Sequence, residues 1–259
     1  MVRPRTYLRV MIPQYSQRFT RPVHGSAVRC TGRLDQPIAS GFKVLPMAKS
    51  TGPTISVMAL SVGGGEYGGA MAEVTALARG LLGQVLHGHQ VSVRITEVEA
   101  YGGINDPASH AFSRTRRSEI MYGPPWRLYV YRIHGHHCAN VVTGPTEEAA
   151  AVLILAGEVV SVIDTARLRR GHLDDAVLAR GPGNLAKSLG ITTADLGADL
   201  LDASGVHLGE RTQVDEIVSG PRVGVRLAAD LPFRFWLANE PSVSSYRRHP
   251  KAESHPDST

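Results

Sequence analysis

The sequence predicts a mixed α/β protein whose main body forms one domain. Three observations predict this class: helix-type and strand-type periodicity alternate along the chain, hydrophobic residues make up 42% of it, and no internal repeat is visible. Its 259 residues are enough to bury a sizeable core. We place the body at residues 71–248, followed by a loose polar tail at residues 249–259.

Composition argues against several classes of protein. A membrane helix needs an uncharged apolar run of about 18 residues, and the longest candidate, residues 149–157, is stopped by Glu158. Cys30 and Cys138 lie too far apart for a disulfide framework or a cysteine-rich zinc site. The histidines at 134–137 lack a further ligand at a zinc-binding spacing. The sequence therefore predicts no membrane protein, secreted mini-protein or zinc module.

The positive charge is concentrated in the N-terminal segment. The formal net charge is +5, but residues 1–50 hold nine of the 28 basic residues and one of the 23 acidic residues. Residues 51–259 are therefore left with 19 basic and 22 acidic residues, a net charge of −3. Overall charge is thus no argument that the body binds nucleic acid, although a local cluster could be.

Residues 1–70 are predicted to form a low-order N-terminal extension. Their periodicity is weak, and their glycine-rich end at 63–69 lacks the Lys-Ser/Thr ending of a phosphate loop, which favours a linker. No apolar signal-peptide core is present, which argues against secretion. The Arg-rich, acid-poor start at residues 1–34 also fits an organelle transit peptide. Alternatively, a mis-set start codon has added an upstream stretch, and Met58 or Met71 is the natural start.

Two helices are predicted from apolar spacing and glycine stops. Residues 72–87 form an amphipathic pattern that runs into a glycine. Residues 184–189 follow a Gly-Pro-Gly sequence and end before Gly190, as expected for a short helix.

Strands are predicted where residues alternate in polarity or where β-branched and aromatic residues cluster. They are expected at residues 91–101, 128–133 and 141–142, near Val206 and Val223, and at residues 233–237. Residues 149–155 fit either a buried strand or a helix, because a short apolar run does not distinguish the two.

The strand at 91–101 carries two carboxylates near its end. With a period of two, Val91, Val93, Ile95, Glu97 and Glu99 all point to one face. A carboxylate half-shielded by apolar neighbours tends towards a raised pKa, which suits a general base. From this segment alone, the ordinary interpretation is favoured: the strand emerges into solvent and both acids are hydrated.

Aromatic residues and arginines follow this strand. Tyr101 and His110 come first, and between residues 114 and 132 five arginines stand against a single acid, Glu119. A carboxylate, rings for stacking and arginines for phosphates are what an enzyme that handles a flipped nucleotide needs. Taken singly, the tyrosines of the strand at 128–133 fit core aromatics and the arginines fit a solvated face. The combination is more informative than its members.

An ordered series of motifs runs through the body of the chain. The motifs lie at residues 97–101, 106–110, 115–117, 121–124, 128–131, 140–142, 180–185 with 189–191, and 220–225. With them, the chain resembles the alkyladenine (3-methyladenine) DNA glycosylases over residues 72–248. One motif alone would be weak evidence, whereas agreement in this order is highly specific.

This resemblance implies a fold, an activity and a partner. The implied fold is a single α+β domain around a curved, largely antiparallel sheet with flanking helices, like the C-terminal domain of formyltransferases. The implied activity is base-excision repair, in which the N-glycosidic bond of alkylated or modified purines (3-methyladenine, hypoxanthine, ethenoadenine) is hydrolysed without metal or organic cofactor. The implied partner is double-stranded DNA that contains such purines, bound by a monomer in the cytoplasm at the nucleoid.

The resemblance also assigns roles to residues of the site. Glu99 corresponds to the general base that deprotonates the attacking water. Tyr101, His110 and Tyr131 correspond to the residues that sandwich the flipped base. Asn140 corresponds to a residue that excludes undamaged purines by clashing with the amino group of guanine. The expected DNA contacts come from His134, Arg114, Arg116, Arg117 and Arg132.

Three departures from the family pattern bear on activity. His134 stands where the family usually places a wedge tyrosine, and the stretch 135–140 is one residue shorter than in many relatives. Leu155 stands where many members carry an arginine that helps to fix the catalytic water. Either Arg132 takes over this role or the water is held less well. A backbone carbonyl of the turn at 222–225, from Val223 or Val225, is expected beside that water.

Two rival functions stay open. The departures at His134 and Leu155 also fit a non-catalytic or weakened relative that binds damaged DNA without excision. Independently of the resemblance, Glu97 and Glu99 could form the carboxylate pair of a sugar hydrolase, but the arginine loop at 114–117 argues against it. Because no lysine lies near the motifs, a glycosylase of this sequence is expected to be monofunctional.

Overall fold

The structure, a computed structural model, describes residues 69–253. Apart from Gly69 and Ala70, which begin the first helix, the predicted N-terminal extension and its transit-peptide alternative lie outside the described residues. The end of the predicted tail, residues 254–259, lies outside them as well. The domain boundaries at residues 71 and 248 stay a prediction.

Within residues 69–253, eight strands form one sheet, and every pair of neighbouring strands is antiparallel. The strands are β1 (Gln84–His87), β2 (Ser92–Tyr101), β3 (Leu128–Ile133), β4 (His136–Val142), β5 (Ala151–Ser161), β6 (His207–Arg211), β7 (Ile217–Gly220) and β8 (Arg234–Leu237). Their order is β3-β4-β5-β2-β1-β6, and β8 pairs with both β2 and β7. The predicted single α+β domain with a curved antiparallel sheet is confirmed.

In the described part of the chain, three α-helices accompany the sheet: α1 (Gly69–Leu81), α2 (Ile163–Arg170) and α3 (Pro182–Leu189). Val74, Ala78 and Leu81 lie on one face of α1 and pack into the main core. Leu185 and Leu189 of α3 pack into the same core. The prediction of α3 is confirmed. Helix α2 was not predicted, because its sequence is dominated by polar and charged residues.

The predicted helix at 72–87 is wrong in its second half. Helix α1 ends at Leu81, and Gln84–His87 forms β1, which pairs with β2. Gly83 between them has φ 82° and donates its N–H to the carbonyl of Ile95. This left-handed conformation, which glycine adopts without steric cost, ends the helix and turns the chain into the sheet.

Most strand predictions are confirmed. Those at 128–133 and 233–237 correspond to β3 and β8, and the strand near Val206 corresponds to β6. The ambiguous run at 149–155 belongs to strand β5, and the predicted pair at 141–142 is the end of the longer β4. The strand expected near Val223 is wrong: that residue lies in a turn after β7.

An irregularity in β2 changes the predicted face of its carboxylates. The pairing with β5 shifts between Ile95 and Glu97 and again between Glu97 and Val98. As a result Ile95 and Val98 both belong to the main core, with Val93 before them and Ala100 after them. The prediction that Glu99 shares a face with Val93 and Ile95 is therefore wrong, because a bulge inverts the alternation of the side chains.

Strands β3, β4, β5 and β2 thus present two different faces. One face packs into the main core with helices α1 and α3. The alternate residues of the same strands form the other face, which we call the site face. It consists of Tyr129 and Tyr131 of β3, Cys138 and Asn140 of β4, Leu153 and Leu155 of β5, and Glu99 and Tyr101 of β2.

Gly83→Ala is expected to destabilise the protein by about 1–3 kcal/mol, because a side chain in this left-handed conformation is strained. An added Cβ would also lie 2.5 Å from Cγ2 of Val214 and 3.0 Å from the carbonyl oxygen of Thr212. Gly80→Ala is the matched control: it lies in α1, where nothing is within 4 Å of an added Cβ. It should stabilise by about 0.5–1 kcal/mol. Urea unfolding of both variants measures this, and equal effects would contradict it.

Candidate active site

Glu99 is a buried carboxylate with two defined hydrogen bonds. Its side chain comes from β2 and is 1% exposed. Oε1 accepts from the backbone N–H of Val223 at 2.6 Å, and Oε2 accepts from the hydroxyl of Tyr101 at 2.7 Å. Burial raises the pKa of Glu99, although these two hydrogen bonds and the nearby Arg222 oppose the rise. A carboxylate with a raised pKa is a stronger base than one in water, which suits general-base work.

Tyr101 supports Glu99 in its anionic form. Burial and the neighbouring carboxylate raise the pKa of Tyr101 well above its ordinary value, so the phenol keeps its proton and donates it. This hydrogen bond links Tyr101, one of the rings predicted to stack on the flipped nucleobase, to Glu99, the predicted general base. It holds the carboxylate of Glu99 in a single orientation.

Glu97 has a different role. It is fully buried, and Nε of Arg234 donates to its Oε1 at 2.5 Å. The N–H of Ser244 donates to Oε2 at 2.7 Å, and the hydroxyl of Ser244 donates to Oε1 at 2.9 Å. These bonds saturate both oxygens and tie β2 to the C-terminal segment. The two acids that the sequence places side by side therefore do not form a catalytic pair.

A buried ion pair between Arg222 and Asp106 supports the same site. The two nitrogens of the Arg222 fork donate to the two oxygens of Asp106 at 2.6 and 2.9 Å, and both side chains are almost fully buried. Nη1 also donates to the carbonyl of Ala100 at 3.0 Å. Asp106 in turn accepts from the backbone N–H groups of Gly102 and Ala108. The pair thus holds the end of β2, the loop after it and the turn before Val223 in one arrangement.

Three aromatic rings meet beside the carboxylate. The ring of His110 packs edge-on against Tyr131 with centroids 4.6 Å apart, and its Nδ1 lies 3.0 Å from the hydroxyl of Tyr129. His110 reaches the sheet from a 3₁₀ turn, His110–Phe112, that Ser109 caps. Burial of its packed side, together with the charge of Arg117, lowers the pKa of His110 to about 4. The imidazole is therefore neutral at pH 7.

Asn140 and Cys138 lie next to these rings on β4. Nδ2 of Asn140 donates to the carbonyl of Tyr129 at 3.0 Å, which fixes its orientation in the buried site face. Burial raises the pKa of the Cys138 thiol, which also exchanges a hydrogen bond with Tyr131. A buried thiol of raised pKa is a packing group rather than a nucleophile.

The structure places Leu155 on the site face, in a buried cluster with Cys138 and Leu153 against which Tyr101, Tyr131 and Val223 pack. The position that holds an arginine in many relatives is thus an apolar part of the site face. Arg132 does not approach it: this residue is exposed and follows Tyr131 on β3, so strand alternation turns it to the opposite face.

The other predicted DNA contacts lie around the rim. Arg114 pairs with Glu119 and Glu147, each at 2.6 Å, and covers the ring of Tyr122. Arg116 is exposed and has no ion-pair partner among the described residues. Arg117 lies over the ring of Tyr131, 4.9 Å from its centroid.

His134 forms the exposed tip of the hairpin between β3 and β4. His134 and Gly135 have φ 47° and 81°, the two positive values of a type I′ turn. This two-residue turn leaves β3 and β4 in register, with Ile133 opposite His136. The side chain of His134, at the position where the family pattern has a wedge tyrosine, is therefore presented at the tip of a tight two-residue turn.

Sequence reasoning did not find two features of this site. It named Asp106 and Arg222 within separate motifs but not as a pair, because no local pattern joins residues 116 positions apart. It also did not place Arg117 over a ring of the sandwich. For Arg117, the sequence indicates only that its loop is positively charged. This charge does not predict where the side chain points.

Three further observations concern the described residues outside this site. A cavity of about 690 Å³ is lined by Met71, Ile104, Asp106 and Phe233 among others, but by no residue of the site face. Within residues 69–253, no three His, Cys, Asp or Glu residues are grouped so that they could hold a metal ion. No helix in the same part of the chain is long and apolar enough to cross a membrane.

Comparisons with known proteins show what this chain is similar to. Residues 70–241 match the family model described as methylpurine-DNA glycosylase (MPG). A protein of Mycolicibacterium paratuberculosis is 51% identical over 183 residues, which cover 68% of this chain and 89% of the relative. One of Nocardia farcinica is 50% identical over 186 residues, with coverage of 68% and 88%. One of Rhodococcus jostii is 48% identical over 191 residues, with coverage of 71% and 86%. All three carry the name "Putative 3-methyladenine DNA glycosylase".

Asp106→Asn is expected to lower the free energy of unfolding by about 3 kcal/mol or more, because it leaves the buried guanidinium of Arg222 without its counter-charge. Asp164→Asn is the matched control, since it breaks an exposed ion pair with Arg167 and should change little. Urea unfolding at neutral pH measures both. Equal stability of the two variants would show that the buried pair contributes no more than a surface pair.

Glu99→Gln is expected to make the protein more stable at neutral pH. Because the pKa of Glu99 is raised in the folded state, its protonated form stabilises the fold below the ordinary carboxyl pKa of 4.5, and this contribution is lost as the pH rises through the folded value. Glutamine has no such loss: its amide oxygen can still accept from the N–H of Val223, and its amide N–H can donate to the hydroxyl oxygen of Tyr101 in the reverse direction. The stability advantage of the variant should therefore grow as the pH rises from 4 to 8. Thermal unfolding measures it against Glu216→Gln, an exposed control; a constant difference would contradict the raised pKa.

Proposed function

The chain belongs to the methylpurine-DNA glycosylase family, and on this premise we propose that it excises modified purines from double-stranded DNA with Glu99 as the general base. The observation that carries this proposal is a buried carboxylate of raised pKa, held in one orientation beside aromatic rings that can stack on a base. The family is one of DNA glycosylases, which are hydrolases that act on N-glycosyl bonds. The Glu99 mechanism, base flipping and the range of purines are the parts that we propose.

In the proposed reaction, the modified nucleotide leaves the duplex and its base stacks between Tyr101 on one side and His110 and Tyr131 on the other. Glu99 removes a proton from a water molecule, whose oxygen forms a bond to C1′ of the sugar. The bond from C1′ to the base breaks, and its electron pair leaves with the base. The negative charge of Glu99 stabilises the positive charge that develops on the sugar. An apurinic site remains.

We propose that the remaining residues of the site hold the water and select the base. A carbonyl of Val223 or Val225 accepts a hydrogen bond from the water, since the N–H of Val223 already positions Glu99. Asn140 rejects unmodified guanine. The two lysines of the described residues, Lys187 and Lys251, are not on the site face. Water is therefore the nucleophile, and the enzyme does not cut the strand.

For the DNA contacts, we propose that His134 enters the space left by the flipped nucleotide. Arg116 and Arg132 are exposed and have no carboxylate partner among the described residues, which suits contact with phosphates. Arg114, held by two glutamates, contributes by fixing the shape of their loop. We further propose that the protein acts as a monomer at the chromosome.

A second candidate function is binding of damaged DNA without excision. Leu155 favours it, because this apolar member of the cluster against which Tyr101 and Tyr131 pack stands where many relatives carry the arginine that helps to fix the water. The hypothesis of a sugar hydrolase loses support, because Arg234 and Ser244 occupy both oxygens of Glu97.

Single-turnover excision distinguishes the two candidates. The wild type should release base from duplex oligonucleotides that each contain one modified purine, and strand cleavage should appear only after hot alkali. Glu99→Gln should lower the rate by about 100-fold or more, because it removes the general base and the charge that stabilises the transition state. Glu216→Gln, an exposed acid distant in sequence, is the control and should excise at the wild-type rate.

Each other outcome has a defined meaning. Binding of the damaged duplex without release of any base by the wild type would favour the second candidate. Equal rates for the wild type and Glu99→Gln would refute the role of Glu99. Cleavage of the strand without alkali would refute the monofunctional mechanism.

A further inference from the structure

We infer that Arg117 is a specificity residue that favours neutral modified purines over cationic ones. Hypoxanthine and ethenoadenine are neutral in DNA, whereas 7-methylguanine carries a positive charge. The inference rests on the proposed function, because it names the substrate class of the same site.

The first step is the position of Arg117. Its guanidinium lies over the ring of Tyr131, with Cζ 4.9 Å from the ring centroid. Tyr131 is one of the rings proposed to stack on the base, and His110 packs against its edge at 4.6 Å. A nucleobase stacked on Tyr131 would therefore lie within a few ångströms of the positive charge of Arg117.

The second step is the balance of charge around the rings. Arg222 also lies over a ring of the sandwich, 4.7 Å from the centroid of Tyr101, but Asp106 neutralises it through two hydrogen bonds. Arg117 forms no ion pair with a carboxylate of the described residues. The charges that face a bound base are thus the anion of Glu99 and the cation of Arg117.

The third step is the effect of this cation on the site. The charge of Arg117 contributes, after burial, to the lowered pKa of His110. It also favours the ionised forms of Tyr129 and Cys138 and so opposes the effect of burial on their pKa values. The field of Arg117 therefore extends across the rings, from the 3₁₀ turn of His110 to β4.

The physical consequence differs for the two classes of base. A tyrosine ring attracts a cation through its π-electrons, and Arg117 already occupies this interaction at Tyr131. A cationic purine would be repelled by the guanidinium at short range, whereas a neutral purine would not be repelled. Without Arg117, Glu99 would be the main charge beside the base and would attract a cationic purine.

The alternative role of Arg117 is a phosphate contact of the kind proposed for Arg116. Such a contact has no preference among bases, because all duplexes have the same backbone. Arg116 is therefore the matched control. It is the adjacent residue, is exposed and carries the same charge, but it lies over no aromatic ring of the described residues.

The test is single-turnover excision of 7-methylguanine and of hypoxanthine from duplexes of the same sequence, by the wild type, Arg117→Gln and Arg116→Gln. Arg117→Gln should raise the ratio of the rate for 7-methylguanine to that for hypoxanthine by about tenfold. Arg116→Gln should lower both rates by a common factor and leave the ratio unchanged. An equal ratio in all three proteins would overturn the inference and make Arg117 a phosphate contact.

A second readout separates this inference from the proposed function. Dissociation constants of the same duplexes, measured in the Glu99→Gln background where the base stays attached, should show the same change of ratio when Arg117→Gln is added. If the wild type excises neither base, the proposed function fails. A changed binding ratio would then still support the role of Arg117, and an unchanged one would refute it.

Discussion

The ion pair between Arg222 and Asp106 is the interaction on which the candidate site depends. It is buried where the end of β2 and the loop at 102–108 that follows it meet the turn at 222–223, which is distant in sequence. Burial of two charges is costly unless they are paired and hydrogen-bonded. The carboxylate accepts from two backbone N–H groups besides the guanidinium, and Nη1 of the guanidinium also donates to a backbone carbonyl, whereas its buried Nε has no hydrogen-bond partner among the described residues. A change in any of these segments therefore disturbs the others.

The position of Glu99 follows from this junction and from the bulge in β2. The bulge turns Val98 and Ala100 into the core, so that the carboxylate lies on the site face. The turn that begins with Arg222 then brings the N–H of Val223 to one oxygen, while Tyr101 donates to the other. The carboxylate of Glu99 is removed from water, but two hydrogen bonds compensate for part of this loss of solvation. This is the compromise that a general base requires, because full solvation would make it a weak base and complete isolation would keep it protonated.

The two carboxylates of β2 show how identical side chains acquire different roles. Glu97 meets a cation at 2.5 Å and two donors of Ser244, so its charge is neutralised and it fastens the C-terminal segment to the sheet. Glu99 receives only neutral donors directly, which leaves its negative charge available to a substrate. The apolar side chain of Leu155 beside it adds no cation. Arg117 at the rim therefore has more influence on the charge of this site than it would have beside an arginine at position 155.

The sequence by itself determined the mixed class of the fold, most of the strands and helix α3, because these depend on local periodicity and on glycine and proline. Through ordered motifs it also determined the family and the candidate residues, from Glu99 to Asn140. Only the tertiary structure decided where α1 ends, which face of β2 carries Glu99, that Glu97 is structural, and that Arg222 pairs with Asp106. Each of these depends on a contact between segments far apart in sequence. A strand bulge or a long-range ion pair is set by the partner segment, and local patterns contain no information about that partner.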